Sequence, residues 1–305
     1  WFWVPAVTLT LMLANQLKEI ADEEDENTVH VSRNFYGVLR VRLERAADYE
    51  SNDNGEDRTI ERTRHSLTHG QIKHGFQYRQ DEWRRTPTTY YGRKSGIGLA
   101  IANRRAAAKA EGRGVRVGVV GLGTGTIAAY CEKGDAFRFY DINPDVKKLS
   151  DDGVFTYLSD APEKPTVVIG DARIEMEREL QKNESQQFDV LAIDAFSSDA
   201  IPVHLLTSEC GEIYKQHIRP GGILAVHISN RYLNLSPVTR GMAEQLQWKA
   251  VRISNSEDEN DGVFSSTWIL LSSGPTVLDQ PDIQSETEDW DTEDSPLHWT
   301  DDYSG

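Results

Sequence analysis

The chain has 305 residues, a formal net charge of −16 at pH 7 and a mean hydropathy of −0.55, the profile of one enzyme-sized unit with room for a large core and a small appendage. No apolar run reaches the ~20 residues that a bilayer-spanning helix needs, and the acidic balance with no aromatic-basic recognition motif argues against a nucleic-acid partner. Its 2 cysteines, Cys131 and Cys210, lack metal-ligand spacing and suggest no disulfide framework, so no metal is expected and a reducing compartment is the default.

Residues 1–28 open with the uncharged, largely apolar stretch Trp1 to Asn15. It reads as the end of a transmembrane helix or as a linker, with a buried or amphipathic N-terminal helix as the rival reading. Two strand-like runs follow, Val29 to Arg45 and Arg58 to Gln71, around the loop tip Asn52-Asp-Asn-Gly55. They predict a small antiparallel β subdomain over residues 29–92.

Residues 115–126, Val-Arg-Val-Gly-Val-Val-Gly-Leu-Gly-Thr-Gly-Thr, read as a buried strand running into a glycine turn where a helix should begin. Gly121, Gly123 and Gly125 allow a tight turn and a close ligand approach, and a helix after them would offer unpaired N–H groups. Further strands end in Asp141, Asp171 and Asp194. Asp141 lies twenty residues after Gly121, where doubly wound folds place a carboxylate for ribose hydroxyls. Each of these acids could instead serve as a turn or helix-capping residue. Strands at 221–229, 249–254 and 267–272 complete the set, with helix-like segments near 126–133, 144–152, 172–182, 205–219 and 237–247. The alternation predicts an α/β domain over 93–274 with a mostly parallel, seven-stranded sheet. Its ligand should lie at the carboxyl ends of the strands.

Charge is uneven along the chain. From Ile253 to Gly305 there are 14 acidic residues and no Lys or Arg, whereas residues 58–116 carry 14 Lys or Arg against 4 acids. The segment 275–305 therefore reads as an acidic, solvated C-terminal tail, or as a field that concentrates cationic substrates.

Gly-Leu-Gly-Thr-Gly-Thr, Tyr-Asp-Ile-Asn, Gly-Asp-Ala and the run Phe188 to Pro202 resemble the spermidine/spermine synthase family, a branch of the Rossmann-like methyltransferase fold. His65-Ser-Leu-Thr-His-Gly, His74-Gly-Phe-Gln, Pro87-Thr-Thr-Tyr-Tyr-Gly, His227-Ile-Ser-Asn-Arg-Tyr and Trp299-Thr-Asp-Asp-Tyr-Ser are similar to a bacterial subgroup in which such a domain follows a membrane region. The resemblance implies transfer of an aminopropyl group from decarboxylated S-adenosylmethionine to a small-molecule amine. By carry-over Asp194 is the base and Asp199 pairs with a substrate ammonium, Pro202 stiffens the loop, and Tyr90 or Tyr91 lines the acceptor site. Asp141 binds the ribose, Asp171 with Ala172 contacts adenine, Gln77 touches the nucleoside from the lid, and Gly121, Gly123, Thr124 and Gly125 form the cradle. The subgroup also implies a homodimer and a cytoplasmic-facing location on a membrane protein, or otherwise a cytoplasmic one.

The chain departs from the family at three places. Thr124 stands where the synthases carry an Asp that holds the aminopropyl ammonium and disfavours a cofactor carboxylate. Ser197 replaces the second Asp of the Asp-Ser-Ser-Asp-Pro loop, and Gly92 follows the Tyr-Tyr pair where the family binds the far end of a diamine. These changes keep two alternatives open, a methyltransferase using ordinary S-adenosylmethionine and a non-catalytic nucleoside sensor. His204 and His227 read as pocket or core residues, not metal ligands.

Overall fold

The computed structural model describes residues 3–51, 57–70, 72–195, 202–229, 233–290 and 295–303. Helix α1, Trp3–Glu26, carries its apolar residues in the open, with Leu9 70% and Leu11 65% exposed. Among the described residues no helix is long and apolar enough to cross a membrane. The expected N-terminal subdomain forms an antiparallel meander of β1 (Thr28–Asn34), β2 (Gly37–Ser51), β3 (Asp57–His69) and β4 (Ile72–Tyr78). β2 and β3 pair in continuous register from Leu39 with His69 to Ser51 with Asp57. The loop tip predicted at Asn52 to Gly55 lies outside the described residues.

The second sheet is the anticipated α/β core. In chain order its strands are β5 (Arg116–Val120), β6 (Ala136–Asp141), β7 (Thr166–Ile169), β8 (Phe188–Ile193), β9 (Ile218–His227), β10 (Lys249–Asn255), β11 (Ser266–Ser272) and β12 (Thr287–Glu288). They are ordered β12-β10-β11-β9-β8-β5-β6-β7. β7, β6, β5, β8 and β9 run parallel, and β11 is antiparallel to both β9 and β10. This is the Rossmann-like methyltransferase arrangement, with one correction: the two-residue β12 adds an eighth strand at the β10 edge. From β5 the chain builds outward to β6 and β7, then returns to place β8 on the other side of β5. That reversal is the topological switch point, the crevice where doubly wound sheets bind ligands.

The helices α3 (Pro144–Asp151), α5 (Ala172–Gln181), α6 (Ser208–His217) and α7 (Ser236–Leu246) match the predicted segments within a few residues. Two features differ. The segment after the glycine turn is a five-residue 3₁₀ helix, Thr126–Tyr130, in place of an α-helix. Its short run of aligned peptides gives no helix dipole of consequence at the cradle. Sequence periodicity also missed α2, Gly96–Ala110, whose glycine-rich start dilutes the helical signal. Ser95 caps α2 by accepting from Gly98 N–H, and fully buried Ile97, Ala100 and Ile101 dock it on the sheet. Gly96 is required there because a Cβ would come within 2.5 Å of Trp268 Cβ. The one-turn α4, Tyr157–Asp160, packs beside the 3₁₀ helix.

The acidic C-terminal segment is not a solvated extension over its described residues. Leu278 and Ile283, the latter on α8 (Pro281–Gln284), are fully buried, and Leu297 N–H donates to the Pro237 carbonyl at 2.9 Å. Arg173 on α5 grips both Asp301 oxygens, at 2.7 and 2.6 Å, and the Thr207 hydroxyl donates to the same carboxylate at 2.9 Å. The hydrogen bonds from Arg173 hold the Asp301 carboxyl down at about 2. A depressed folded-state value stabilises the fold above the ordinary carboxylate range and is lost as pH falls through about 2. Asp301 is 43% exposed, so solvent screening keeps the effect of Asp301→Asn at or below ~1 kcal/mol at neutral pH. Urea unfolding from pH 7 down to 2 should show variant and wild type converging below pH 4; a constant difference would contradict the pairing.

Candidate active site

A cavity of about 290 Å³ opens at the switch point, between the carboxyl ends of β5 to β9 and the β3–β4 edge of the meander. Three of the expected strand-end acids, Asp141, Asp171 and Asp194, reach it, as do Gly121, Gly123, Ala172, Tyr90, Tyr91 and Pro202. Three expected contacts do not. Gln77 is buried away from the cavity: its amide NH₂ donates to the Arg84 carbonyl at 2.8 Å and to Thr156 Oγ1 at 3.0 Å, and its oxygen accepts from Thr156 N–H at 2.7 Å. With its bonding capacity spent in this way, Gln77 ties β4 to the loop before α4. Thr124 is also buried, its hydroxyl bonded to Thr126 Oγ1 at 2.7 Å. Gly125 sits behind the cavity wall and precedes the 3₁₀ helix with φ +83°. Asp199 lies outside the described residues.

The glycine turn owes its shape to a contact between strands. Gly121 has φ +101°, and a Cβ there would fall 2.3 Å from the Asp194 carbonyl oxygen. Asp194 N–H donates to the Val120 carbonyl at 2.9 Å, which draws the ends of β5 and β8 together. Gly123, at φ +52°, has room for a Cβ instead: the nearest atom, the His74 carbonyl oxygen at 3.5 Å, is at ordinary contact distance. This is a cradle that a side chain would fill.

Asp141 braces the turn from β6. Its two oxygens accept from Leu122 N–H and Asn143 N–H, each at 2.8 Å. Burial pushes its carboxyl up, opposed by these backbone donors. Gly123 N–H is a further backbone donor to it, which leaves the carboxylate acceptor capacity for a hydroxyl group in the cavity. On the nucleoside ligand that the family resemblance implies, Asp141→Ala should weaken binding of methylthioadenosine by roughly ten- to a hundredfold, the scale of charge-assisted hydrogen bonds. Because the same change uncaps the turn, the isothermal titration must be paired with a melting curve, and unchanged affinity in the folded variant would remove Asp141 from the site.

Asp171 takes the capping role and faces the cavity as well. Oδ1 accepts from Ile174 N–H at 3.2 Å as the N-cap of α5, while Oδ2 meets His204 Nε2 at 2.9 Å. His204 comes from the 3₁₀ turn Val203–Leu205 that follows Pro202, so one short segment brings Pro202, His204 and Leu205 to the wall.

At the far end, Asp194 has two side-chain partners. Tyr91 O–H is hydrogen-bonded to Oδ2, and His227 Nδ1 lies 2.7 Å from Oδ1. Burial and the Asp194 charge push the Tyr91 phenol well above its ordinary value, so it stays protonated. Burial likewise raises Tyr90, whose ring lies 5.2 Å from the His227 ring. The lid contributes residues that sequence reasoning did not assign to the site: His69, Lys73 and His74 all line the cavity. Burial and the neighbouring His69 push His74 down to about 4, leaving it neutral at pH 7. The two histidine motifs were visible in the sequence, but their distance from the glycine turn along the chain hid their contact with it.

A glycine turn at the switch point, acids after β6, β7 and β8, and an antiparallel meander over the cavity make up an α/β architecture with the fold of the spermidine synthases. Among solved structures, the chain is similar to a probable spermidine synthase from Corynebacterium glutamicum ATCC 13032, with 16% identity, 80% of this chain and 79% of that one covered, and a TM-score of 0.51. It is also similar to a spermidine synthase in complex with the transition-state analogue AdoDATO, with 9% identity, coverage of 90% and 82%, and a TM-score of 0.52. Spermidine synthase from Thermotoga maritima aligns at 11% identity over 90% and 88%, with a TM-score of 0.48. No protein-family model and no curated protein matches. Identities this low establish the fold, and the chemistry has to be argued from the site.

Proposed function

We propose that the protein is an aminopropyltransferase of the spermidine synthase type, moving an aminopropyl group from decarboxylated S-adenosylmethionine to a small amine. The observation that carries this reading is Asp194, a carboxylate on the cavity wall with Tyr91 and His227 as its side-chain partners. An ammonium has no lone pair, so the acceptor must lose a proton before it can attack. Asp194 takes that proton, and the freed nitrogen forms the new N–C bond as the C–S bond breaks. The cosubstrate, when bound, supplies the sulfonium carbon, and the electron pair of the C–S bond stays on the departing methylthioadenosine. The residues fit such a nucleoside: Gly123 has no side chain to fill the cavity, Asp141 offers an acceptor for ribose hydroxyls, and Asp171 with Ala172, to which the family resemblance gives the adenine contact, lines the same cavity. A protein of this fold that binds AdoDATO supports the same ligand class.

A second reading, methyl transfer from ordinary S-adenosylmethionine, is favoured by one observation: residue 124 is a buried threonine, so the turn presents no carboxylate at that position. Calorimetry with both forms of the cosubstrate, followed by mass detection of products from putrescine, spermidine and other amines, separates the two. Tighter binding of the decarboxylated form and a product heavier by one aminopropyl group are expected. Methylated product, or binding confined to the ordinary form, would replace the proposal with the second reading.

A further inference from the structure

The residue behind the proposed base is a histidine from the neighbouring strand. His227 ends β9, which pairs in parallel with β8, and the register Ile193 with Val226 sets His227 beside Asp194. Its ring is stacked on Trp268 of β11, with centroids 4.6 Å apart and 13° between planes, and Trp268 itself is fully buried. The Tyr90 ring also packs against the His227 ring, tilted by 45° with centroids 5.2 Å apart, and the Tyr90 backbone carbonyl accepts from the Trp268 indole N–H at 3.2 Å. The imidazole is therefore held in orientation by rigid sheet and aromatic neighbours, with Nδ1 2.7 Å from Asp194 Oδ1. An ionised carboxylate can only accept hydrogen bonds, so this contact requires the proton on Nδ1.

We infer that His227 is a positioning residue: as an Nδ1–H donor it fixes the Asp194 carboxylate, jointly with Tyr91, in one orientation toward the cavity. The inference rests on the reading of Asp194 as proton acceptor only for its kinetic consequence. With donors on both oxygens the carboxylate cannot rotate about its Cβ–Cγ bond without breaking both bonds. The lone pairs left over then point in one set of directions, which is what in-line presentation of an amine to a neighbouring carbon demands. The titratable groups facing Asp194 among the described residues are Tyr90 and Tyr91 from the loop after β4, His74 from β4 and His227 from β9. Tyr91, held protonated, is a donor like His227.

Two measurements test this, and they fail separately. Long-range ¹H–¹⁵N correlation spectra of the wild-type imidazoles, assigned with the His227→Asn variant, should place a proton on Nδ1 of His227. A neutral ring protonated on Nε2 alone would overturn the inference whatever the enzyme does. In the kinetic arm, His227→Phe keeps a ring against Trp268 but loses the donor, and turnover should fall by roughly ten- to a hundredfold, the cost of one hydrogen bond to a charged group. Methylthioadenosine affinity should not move. His227→Asn puts an amide N–H near the Nδ1 position and should recover most of the rate. Wild-type turnover in the Phe variant would also overturn the inference. If the wild type transfers nothing to any amine, the proposed function fails while the spectra still decide the role of His227.

Discussion

Asp194→Asn should retain the fold and its affinity for methylthioadenosine while turnover falls by roughly 10²- to 10⁴-fold, the range attributed to a positioned general base. The amide is close to isosteric with the carboxylate, and the backbone link from Asp194 N–H to the Val120 carbonyl does not involve the side chain. The side-chain bonds fare unequally. An amide oxygen can keep one of the two donors, Tyr91 or His227, but the amide NH₂ then meets the other donor across a former hydrogen bond. Some loss of stability is therefore expected, and a melting curve must accompany the kinetics. Product mass from each candidate amine, measured at saturating nucleoside, gives the rate. A variant as fast as wild type would take Asp194 out of the mechanism and, with it, the strongest reason for reading the cavity as a transferase site.

The second large effect belongs to the glycine turn, where two glycines with similar backbone signs should respond in opposite ways. Gly121→Ala should damage the fold itself. Its φ of +101° disfavours any side chain, and the new Cβ would lie 2.3 Å from the Asp194 carbonyl oxygen, an atom of the sheet backbone that cannot step aside. Taking strained backbone and overpacking at about 1–3 kcal/mol each, the loss in a denaturant titration is about 2–6 kcal/mol. Gly123→Val should behave differently. At φ +52° the backbone strain is about 1–2 kcal/mol, and the first atom a Cβ meets, the His74 carbonyl oxygen at 3.5 Å, is at ordinary contact distance. The branched side chain instead occupies the cavity, so a folded variant should bind methylthioadenosine very weakly or not at all. Wild-type stability in Gly121→Ala, or wild-type affinity in Gly123→Val, would refute the respective assignment.

Much of the architecture was legible because it rests on local patterns. The buried runs of β5, β6 and β8 alternate with helical segments, and each ends at a glycine or an acid, so the parallel sheet and its ligand-binding edge follow from strand length and punctuation alone. Failures came where a neighbour in space overrides the local signal. The 3₁₀ helix after Gly125 replaces a predicted α-helix, and α2 forms despite two early glycines because its apolar face docks on the sheet. The acidic C-terminal segment looks low in complexity along the chain. It is nonetheless fastened, because Arg173 lies more than a hundred residues earlier and supplies the charge it lacks.

The amino-acid sequence by itself determined the fold class, the order of the strands along the chain, and the three acids Asp141, Asp171 and Asp194 at their ends, since each depends on residue type and short-range spacing. Tertiary structure alone decided which side chains share the cavity. Gln77 and Thr124, chosen by motif, are turned to internal hydrogen bonds, while His69 and His74, remote along the chain, come to the cavity that Asp194 lines. The physical reason is that a polar side chain is committed by its nearest partner in three dimensions. A buried amide or hydroxyl must spend its hydrogen-bonding capacity wherever the fold sets a complementary atom, and the crossover that puts β8 beside β5, with β9 next to it, is what brings Tyr91 and His227 to Asp194.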